Sequence, residues 1–401
     1  MSRNAAPGTI GQRIRDRRLL LGMSIRYAAD RAGLSSTSWS RMERGLMSAD
    51  NPVVLAHIAE VLRCSVSDLT GLPLDPMTKD EAETDGAVHE TMRAVIEADL
   101  TVPSSANTPH PPIAQLSAEV ELLLDLRQRC DYRGAARRLP ALIRGLHAAA
   151  HGPERAQALR ALVIAEDAAS FIVRYLGYPD ASCLVAERAW QAAEMLEDPV
   201  MLALGTWGRI HAAFNSGWYQ RALTLADAAA DDLSHHLHLP DATELLGMLH
   251  LTRALSRYAL GRIDDAYAPL QEAQELAERT GDSDALRLWF GPTNIRFWRI
   301  AMEVDSGDPG KAVEIARNTN PQALASISRQ AMFYLDAGRA LARTGRDREA
   351  LRMLLTAEQL APQRVRDPLV AETVRSMLER ARRGTGWSEL HGLCARIGVL
   401  H

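Results

Sequence analysis

The sequence predicts an all-α protein, with a head of five short helices followed by a long array of helix pairs. Three observations lead there. Alanine and leucine dominate, β-rich stretches are absent, and only 5% of the 401 residues are aromatic while 47% are hydrophobic. Residues 9–72 fall into five short apolar patterns punctuated by hydroxyl residues and glycines. Beyond residue 114, a glycine is repeatedly followed five positions later by an alanine, at a loose interval. A chain of this length has room for two or three domains with cores of their own.

Ile10, Ile14 and Leu21 mark the first helix, which also carries Arg13, Arg15, Arg17 and Arg18. Ser24 stands before Ile25, Ala28 and Ala29, so its hydroxyl is placed to cap a second helix with a narrow, small-sided apolar face. Gly33 ends that helix, because a glycine just past a helix takes the left-handed conformation at little cost. Ser35 caps the third helix. There Trp39 and Met42 lie three apart on one face while Ser36, Thr37, Ser40 and Arg41 lie elsewhere, so one face packs and the other is free. Gly45 closes it; Val54, Leu55, Ile58, Val61 and Leu62 mark a fourth helix, and Val66 and Leu69 a short fifth. Two short helices joined across Ala32, Gly33 and Leu34 form a helix-turn-helix, which sets its second helix into the major groove of DNA. Charge agrees. Residues 1–70 hold ten arginines against six acids, a balance of about +4, whereas the whole chain is −4, which leaves about −8 for the remainder. The positive end is the one suited to phosphate.

Gly11, Arg15, Ser24, Ala29, the Ala32-Gly33-Leu34-Ser35 turn, the run Ser40 to Gly45 and the ending Cys64 to Leu69 together resemble the five-helix domain of Xre/Cro and lambda-repressor type regulators. The resemblance covers residues 9–72. It implies that Ser36, Thr37 and Arg41 face base edges, with Arg41 reaching guanine O6 and N7. It implies phosphate contacts for Arg13, Ser24, Arg26 and Arg44, which fix register without reading sequence. Two positions depart from the pattern: Ile25 stands where glutamine is frequent, and Arg17 where an apolar residue is usual.

Residues 73–85 and 101–113 are rich in proline, serine and acids and bracket one expected helix from about residue 87 to residue 100. Residues 73–113 therefore read as linker, helix, linker, and the head as hinged to a body at 114–401. In the body, Gly217 with Ala222, Gly261 with Ala266, Gly307 with Ala312 and Gly345 with Ala350 recur at separations of 44, 46 and 38 residues. Each glycine ends one helical pattern, and each alanine lets the next helix approach closely. Weaker units precede them around residues 131–139 and 177–186, making about seven helix pairs. These units resemble tetratricopeptide repeats, most clearly at Tyr334, Gly338, Leu341, Gly345, Ala350, Leu354, Ala357 and Pro362, although their period exceeds the usual figure of about 34 residues.

The repeat resemblance implies a solenoid whose concave wall comes from the first helix of each pair. With each glycine as a register mark, that wall carries Trp207, His211, Phe214 and Asn215, then Met248, Leu251 and Tyr258, then Asn294 and Phe297, then Arg339. An apolar groove with a few polar fixtures suits a small amphipathic ligand or a short peptide; Asn215 or Asn294 could bind an amide and Arg339 a carboxylate. The stretch from Trp289 to Asn294, containing Phe290, interrupts a helix there and is the expected edge of the pocket, although Gly291-Pro292 also reads as an ordinary helix start. Head-plus-repeat chains of this kind are similar to the peptide-sensing regulators of Gram-positive bacteria and to regulators of antibiotic-producing actinomycetes. That similarity implies a homodimer on an inverted-repeat duplex operator, switched by a peptide or small-molecule effector. The alternative is a regulator whose repeat surface binds a partner protein.

Other classes find little support. Phosphate-binding Gly-Lys-Ser or Gly-Lys-Thr loops, a nucleophile elbow, a His-Glu-x-x-His helix and paired carboxylates are missing, so no catalytic residue is expected. Asp231-Asp232 and Asp264-Asp265 read as solvated helix termini. Cys64, Cys130, Cys183 and Cys394 lie too far apart for a zinc spacing or a disulfide framework. His235, His236 and His238 precede Pro240 and read as helix-end cations or loop residues, so no metal or cofactor is expected. No apolar run approaches the roughly 20 residues of a membrane span, and residues 1–10 hold no signal-type stretch, so the expected location is the cytoplasm.

Overall fold

A computed structural model describes residues 8–71, 78–98, 100, 109–306, 308–381 and 388–399. Among them are twenty-one α-helices and no strand. The chain forms two compact units: Met1–Pro73 with Arg299–Thr319 and Gln330–His401, and Leu74–Trp298 with Asn320–Arg329.

The head consists of α1 (Ile10–Leu20), α2 (Ile25–Arg31), α3 (Ser36–Glu43), α4 (Pro52–Val61) and α5 (Val66–Thr70). Each helix begins where a side chain accepts from a first-turn N–H. Thr9 and Ser65 form capping boxes with Gln12 and Asp68, Ser24 and Ser35 accept from Tyr27 and Ser38, and Asn51 accepts from Val53 and Val54. Gly33 and Gly45 take φ of +69° and +68° after α2 and α3. Ile14, Trp39, Met42, Leu55, Ile58, Leu62 and Leu69 build the core. At Gly11, α1 crosses α3 so closely that an added Cβ would lie 2.1 Å from the Met42 carbonyl oxygen. Inside this core Arg18 grips Glu43 with two N–H groups, at 2.5 and 2.8 Å, and the Trp39 indole N–H donates to the same carboxylate at 2.6 Å.

The second unit begins with α6 (Lys79–Glu97), then α7 (Ile113–Gln128), the short α8 (Tyr132–Ala136) and α9 (Leu139–Ala149). It continues with α10 (Arg155–Tyr175), α11 (Pro179–Leu196), α12 (Pro199–Asn215), α13 (Tyr219–Ser234), α14 (Ala242–Ala259) and α15 (Tyr267–Thr280). Each helix from α10 to α15 packs on the next, and α12 also lies against both α10 and α14, so these three form one wall. The remaining helices are α16 (Pro292–Ser306), α17 (Pro309–Arg317), α18 (Ile327–Arg343), α19 (Asp347–Leu360), α20 (Pro368–Ala381) and α21 (Ser388–Arg396). From α7 onward the chain thus forms seven successive helix pairs, with α8 a short insertion in the first. The alanines that marked the repeat, Ala222, Ala266, Ala312 and Ala350, are fully buried. Gly217, Gly261 and Gly345 have φ of +81°, +72° and +75°, while Gly307 lies outside the described residues.

Two features depart from the sequence reading. The helix expected from about residue 87 starts at Lys79, because Thr78 and Glu81 form a capping box and Asp80 and Glu81 lie in its first turn, where acids oppose the helix dipole favourably. Acidity that read as linker is a helix start. It is also docking chemistry, since Asp80 pairs with Arg133 and Arg137 and Glu90 with Arg144. The expected linker residues 73–77 and 101–108 lie outside the described residues.

Second, the head is packed into one unit with the C-terminal helices, rather than hinged as a separate body. Asp50, between α3 and α4, accepts from Arg343 at 3.0 Å and from the Thr373 hydroxyl at 2.7 Å, while its carbonyl accepts from Arg339 at 2.9 Å. Arg339 also reaches Asp305 at 2.8 Å, whose carbonyl accepts from Asn51 at 3.1 Å. Leu369 packs against the head core beside these polar links.

Candidate functional site

The head offers one built surface. On α3, Trp39, Met42 and Glu43 face the core, while Ser36, Thr37 and Arg41 are exposed. Arg41 extends along the surface, its Nη2 only 3.4 Å from the Leu46 carbonyl. Arg26 and Arg44 are exposed, and Ser24 is exposed although its hydroxyl caps α2. Arg13 is placed differently: its Nη1 donates to the carbonyls of Leu69 and Thr70 at 3.3 and 3.2 Å, tying down the end of α5. Arg17, unusual by its position, does the same for α4 by donating to the carbonyls of Leu62 and Arg63 at 3.2 and 2.9 Å.

On the solenoid, the expected groove residues separate into two sets. Met248, Leu251, Phe290, Asn294 and Phe297 are enclosed in the core, and Tyr258 nearly so. The reason is that α14 is covered by α12, α13 and α15 together, which leaves it no free face. Phe290 fills the space over Gly247, where an added Cβ would meet the ring at 2.0 Å. Asn294 donates to the Met248 sulfur at 3.6 Å. Arg339 belongs to the other unit, paired there with Asp305 and Asp336. Trp207 is enclosed as well, and only His211, Phe214 and Asn215 remain half-buried on the α12 face.

A cavity of about 290 Å³ opens beside that face, lined by Glu121, Leu124 and Arg127 of α7, Ile164 and Asp167 of α10, Leu204 of α12, and Asp284, Leu286 and Arg287 from the segment before α16. Arg127 stands 3.9 Å from Asp167. One turn along α10 and α12 come Phe171 and Trp207, and two turns along come Arg174 and His211. The Phe171 and His211 ring centres are 5.2 Å apart, His211 and Trp207 4.2 Å, and Trp298 closes the group 6.0 Å from His211. Burial pushes the Asp167 carboxyl up to about 7, against the pull of Arg127. Burial together with Arg174, Arg329 and Arg127 pushes His211 down to about 3, so its imidazole is neutral.

The segment closing this cavity is held in a strained form. Leu286, Arg287 and Trp289 have φ of +50°, +56° and +60°, a region that non-glycine residues seldom occupy without compensation. Its anchors are specific: the Trp289 indole donates to Gln128 at 3.1 Å, Gln128 returns a bond to the Arg287 carbonyl at 2.9 Å, and Asp282 caps α16 through Thr293. The run from Trp289 to Asn294, expected as a pocket edge, does not itself line this cavity; Asp284, Leu286 and Arg287 just before it do. Arg127, Asp167, Phe171 and Arg174 were not legible in the sequence, because on their own helices they sit in ordinary amphipathic patterns and meet only through tertiary packing.

The described helices thus comprise a helix-turn-helix head followed by an array of helix pairs. Residues 9–70 match the family described as "Helix-turn-helix domain". No curated protein matches the chain. Among solved structures the chain is similar to NprR in complex with its cognate peptide NprX, at 12% identity and a TM-score of 0.40 over 71% of this chain and 77% of that one. It is similar to Bacillus thuringiensis PlcR in complex with the peptide PapR7 and DNA, at 18% identity and 0.35 over 70% and 100%. It is also similar to aspartyl phosphate phosphatase F from Bacillus subtilis, at 13% identity and 0.46 over 91% and 97%. No described helix is long and apolar enough to cross a membrane.

Proposed function

We propose that this chain is a sequence-specific transcriptional regulator that binds duplex DNA as a homodimer on an inverted repeat, and that a ligand on the solenoid wall sets its affinity. The observation that carries the reading is the division of α3 into a core-locked face and an exposed face bearing Ser36, Thr37 and Arg41. A rigid helix with free polar side chains on one side is what base readout in the major groove needs. Ser24, Arg26 and Arg44 flank it and supply phosphate contacts. Arg13 is given to the end of α5 and contributes through the head's stability instead.

Two heads about 34 Å apart would meet successive major grooves on one side of the duplex. A ligand changes operator affinity only if it binds one arrangement of the protein more tightly than another. His211, Phe214 and Asn215 are the wall residues left to meet it. The work is cytoplasmic, where the operator is.

The test is selection of bound duplexes from random sequence, followed by titration of the selected site. Arg41→Ala should cost about 1–3 kcal/mol and relax preference at one base position per half-site. Arg26→Ala should weaken binding evenly across sequences and lower the salt slope by about 1. A chain with no preference for any duplex over bulk competitor rules the reading out.

A further inference from the structure

We propose that the cavity lined by α7, α10, α12 and the segment before α16 is a site for a primary ammonium group carried on a short aliphatic body; this rests on the reading of the solenoid as the ligand-responsive part of a regulator and names the chemistry of the ligand. Asp167 is the anchor. Its side chain is 4% exposed and lines the cavity, yet Oδ1 has no hydrogen-bond partner, and Arg127 stands 3.9 Å from Oδ2, beyond hydrogen-bond reach. A buried acceptor of this kind calls for a donor, and a charged donor serves a carboxylate best. The α12 side of the cavity cannot supply one, because Oδ1 lies over Gly208, which has no side chain to offer.

Charge decides the sign of the ligand. Glu121, Asp167 and Asp284 line the cavity against Arg127 and Arg287. Arg287 is already shared by Glu121 at 3.3 Å, Asp125 at 3.7 Å and Asp284 at 3.8 Å, while Arg127 has Asp167 on one side and the Phe171 ring 5.6 Å away on another. Carboxylates therefore outnumber guanidiniums, a surplus that repels an anion and draws in a cation. Burial raises the Asp167 carboxyl to about 7, so near neutrality an arriving ammonium gives its own N–H to Oδ1 and the displaced proton leaves to solvent. Among the described residues no group of three or more His, Cys, Asp or Glu could hold a metal ion, so the cation is organic. Its body is set by Leu124, Ile164, Leu204 and Leu286, which suit methylenes rather than polar atoms. Size limits it further. A volume of about 290 Å³ lies at the small end of ligand pockets, so it admits a chain of several carbons and not an extended peptide. The mouth is also preformed, since Gln128 accepts from the Trp289 indole and donates to the Arg287 carbonyl, which pins the segment carrying Asp284 and Leu286.

The experiment is titration calorimetry of the full chain with 1-aminohexane, with its neutral counterpart 1-hexanol and with hexanoate, and in parallel with a mixed-sequence pentapeptide pool whose amino termini are free or acetylated. The expected result is saturable binding by an ammonium form and at least about tenfold weaker binding by its uncharged or anionic counterpart. If 1-aminohexane binds, the source is a free small amine; if only the free-terminus peptides bind, it is a peptide amino terminus, and the shared chemistry stands either way. Asp167→Asn keeps the shape of the anchor and should abolish binding, with helical content and melting checked by circular dichroism. Should that variant melt early, Asp284→Asn at the exposed mouth answers the same question with a loss of about threefold or more. The proposal is overturned if no amine binds saturably, as expected where ordered water alone fills the cavity, if amine and alcohol bind alike, if hexanoate binds as tightly, or if the folded asparagine variants bind like the parent. DNA selection by the unliganded chain is a separate readout. Duplex selection without amine binding removes this site only, whereas amine binding without duplex selection removes the regulator reading and leaves the site.

Discussion

Arg18 and Asp167 are both buried charges, and they are buried for different ends. Arg18 and Glu43 satisfy each other with two N–H contacts, and Trp39 completes the carboxylate, so the group fixes how α1 and α3 meet. Asp167 has one oxygen near Arg127 and one with no partner, so its environment favours the neutral acid and its carboxyl rises to about 7. An unfolded aspartate titrates near 3.9, as an approximate model value. The folded chain therefore holds this proton more tightly, and the resulting stability is complete below about pH 4 and lost as pH rises through about 7. The groups that face it are Arg127 from α7 and, around the cavity, Glu121, Asp284 and Arg287. Asp167→Asn removes the titration while keeping the shape. The gain in melting temperature of the variant over the parent should grow between about pH 4 and pH 7 and level off above that. A difference that stays constant with pH would place the proton elsewhere.

At the scale of elements, the sequence was most informative where local rules act. Caps at Ser24 and Ser35, the buried pair Trp39 and Met42, and the four repeat alanines all follow from short-range chemistry, and all hold in the fold. It was least informative where a helix gains its role from three neighbours at once. Nothing within α14 says that Met248 and Leu251 are covered on every side, and an acidic helix start at Lys79 reads like linker until Arg133 and Arg137 are seen beside it. Gly11 is a case between the two. Its place in the family pattern was visible, but its reason is the approach of α1 to the backbone of α3, where the obstacle is a carbonyl that cannot swing aside. Gly11→Ala should lower the unfolding free energy by about 1–3 kcal/mol, the range of overpacked cores. A urea titration followed by the Trp39 signal measures it, and an unchanged midpoint would mean that the two helices have room to part.

At the scale of the whole molecule, the head and the C-terminal helices form one compact unit although Asp50 lies 289, 293 and 323 residues from the groups that hold it. No periodicity encodes such a contact, so the sequence by itself assigns Asp50 no role. Burial alone would raise the Asp50 carboxyl, but Arg343, Arg339 and the Thr373 hydroxyl outweigh it and hold the group below the usual carboxylate range. Its stabilising charge is then present above the ordinary aspartate range and lost only as pH falls further, which keeps the head fastened across all physiological pH. The same burial makes the link brittle. Removing one member of a buried charge group leaves the others unpaired, at a cost of about 3–5 kcal/mol. Asp50→Ala should therefore release amide protection in α4 and α20 together under hydrogen exchange, with the amides of α10 to α13 unchanged. If α4 alone loosens, Asp50 is a local turn residue. If both loosen and affinity for duplex DNA changes with them, the C-terminal helices set the position in which α3 is held.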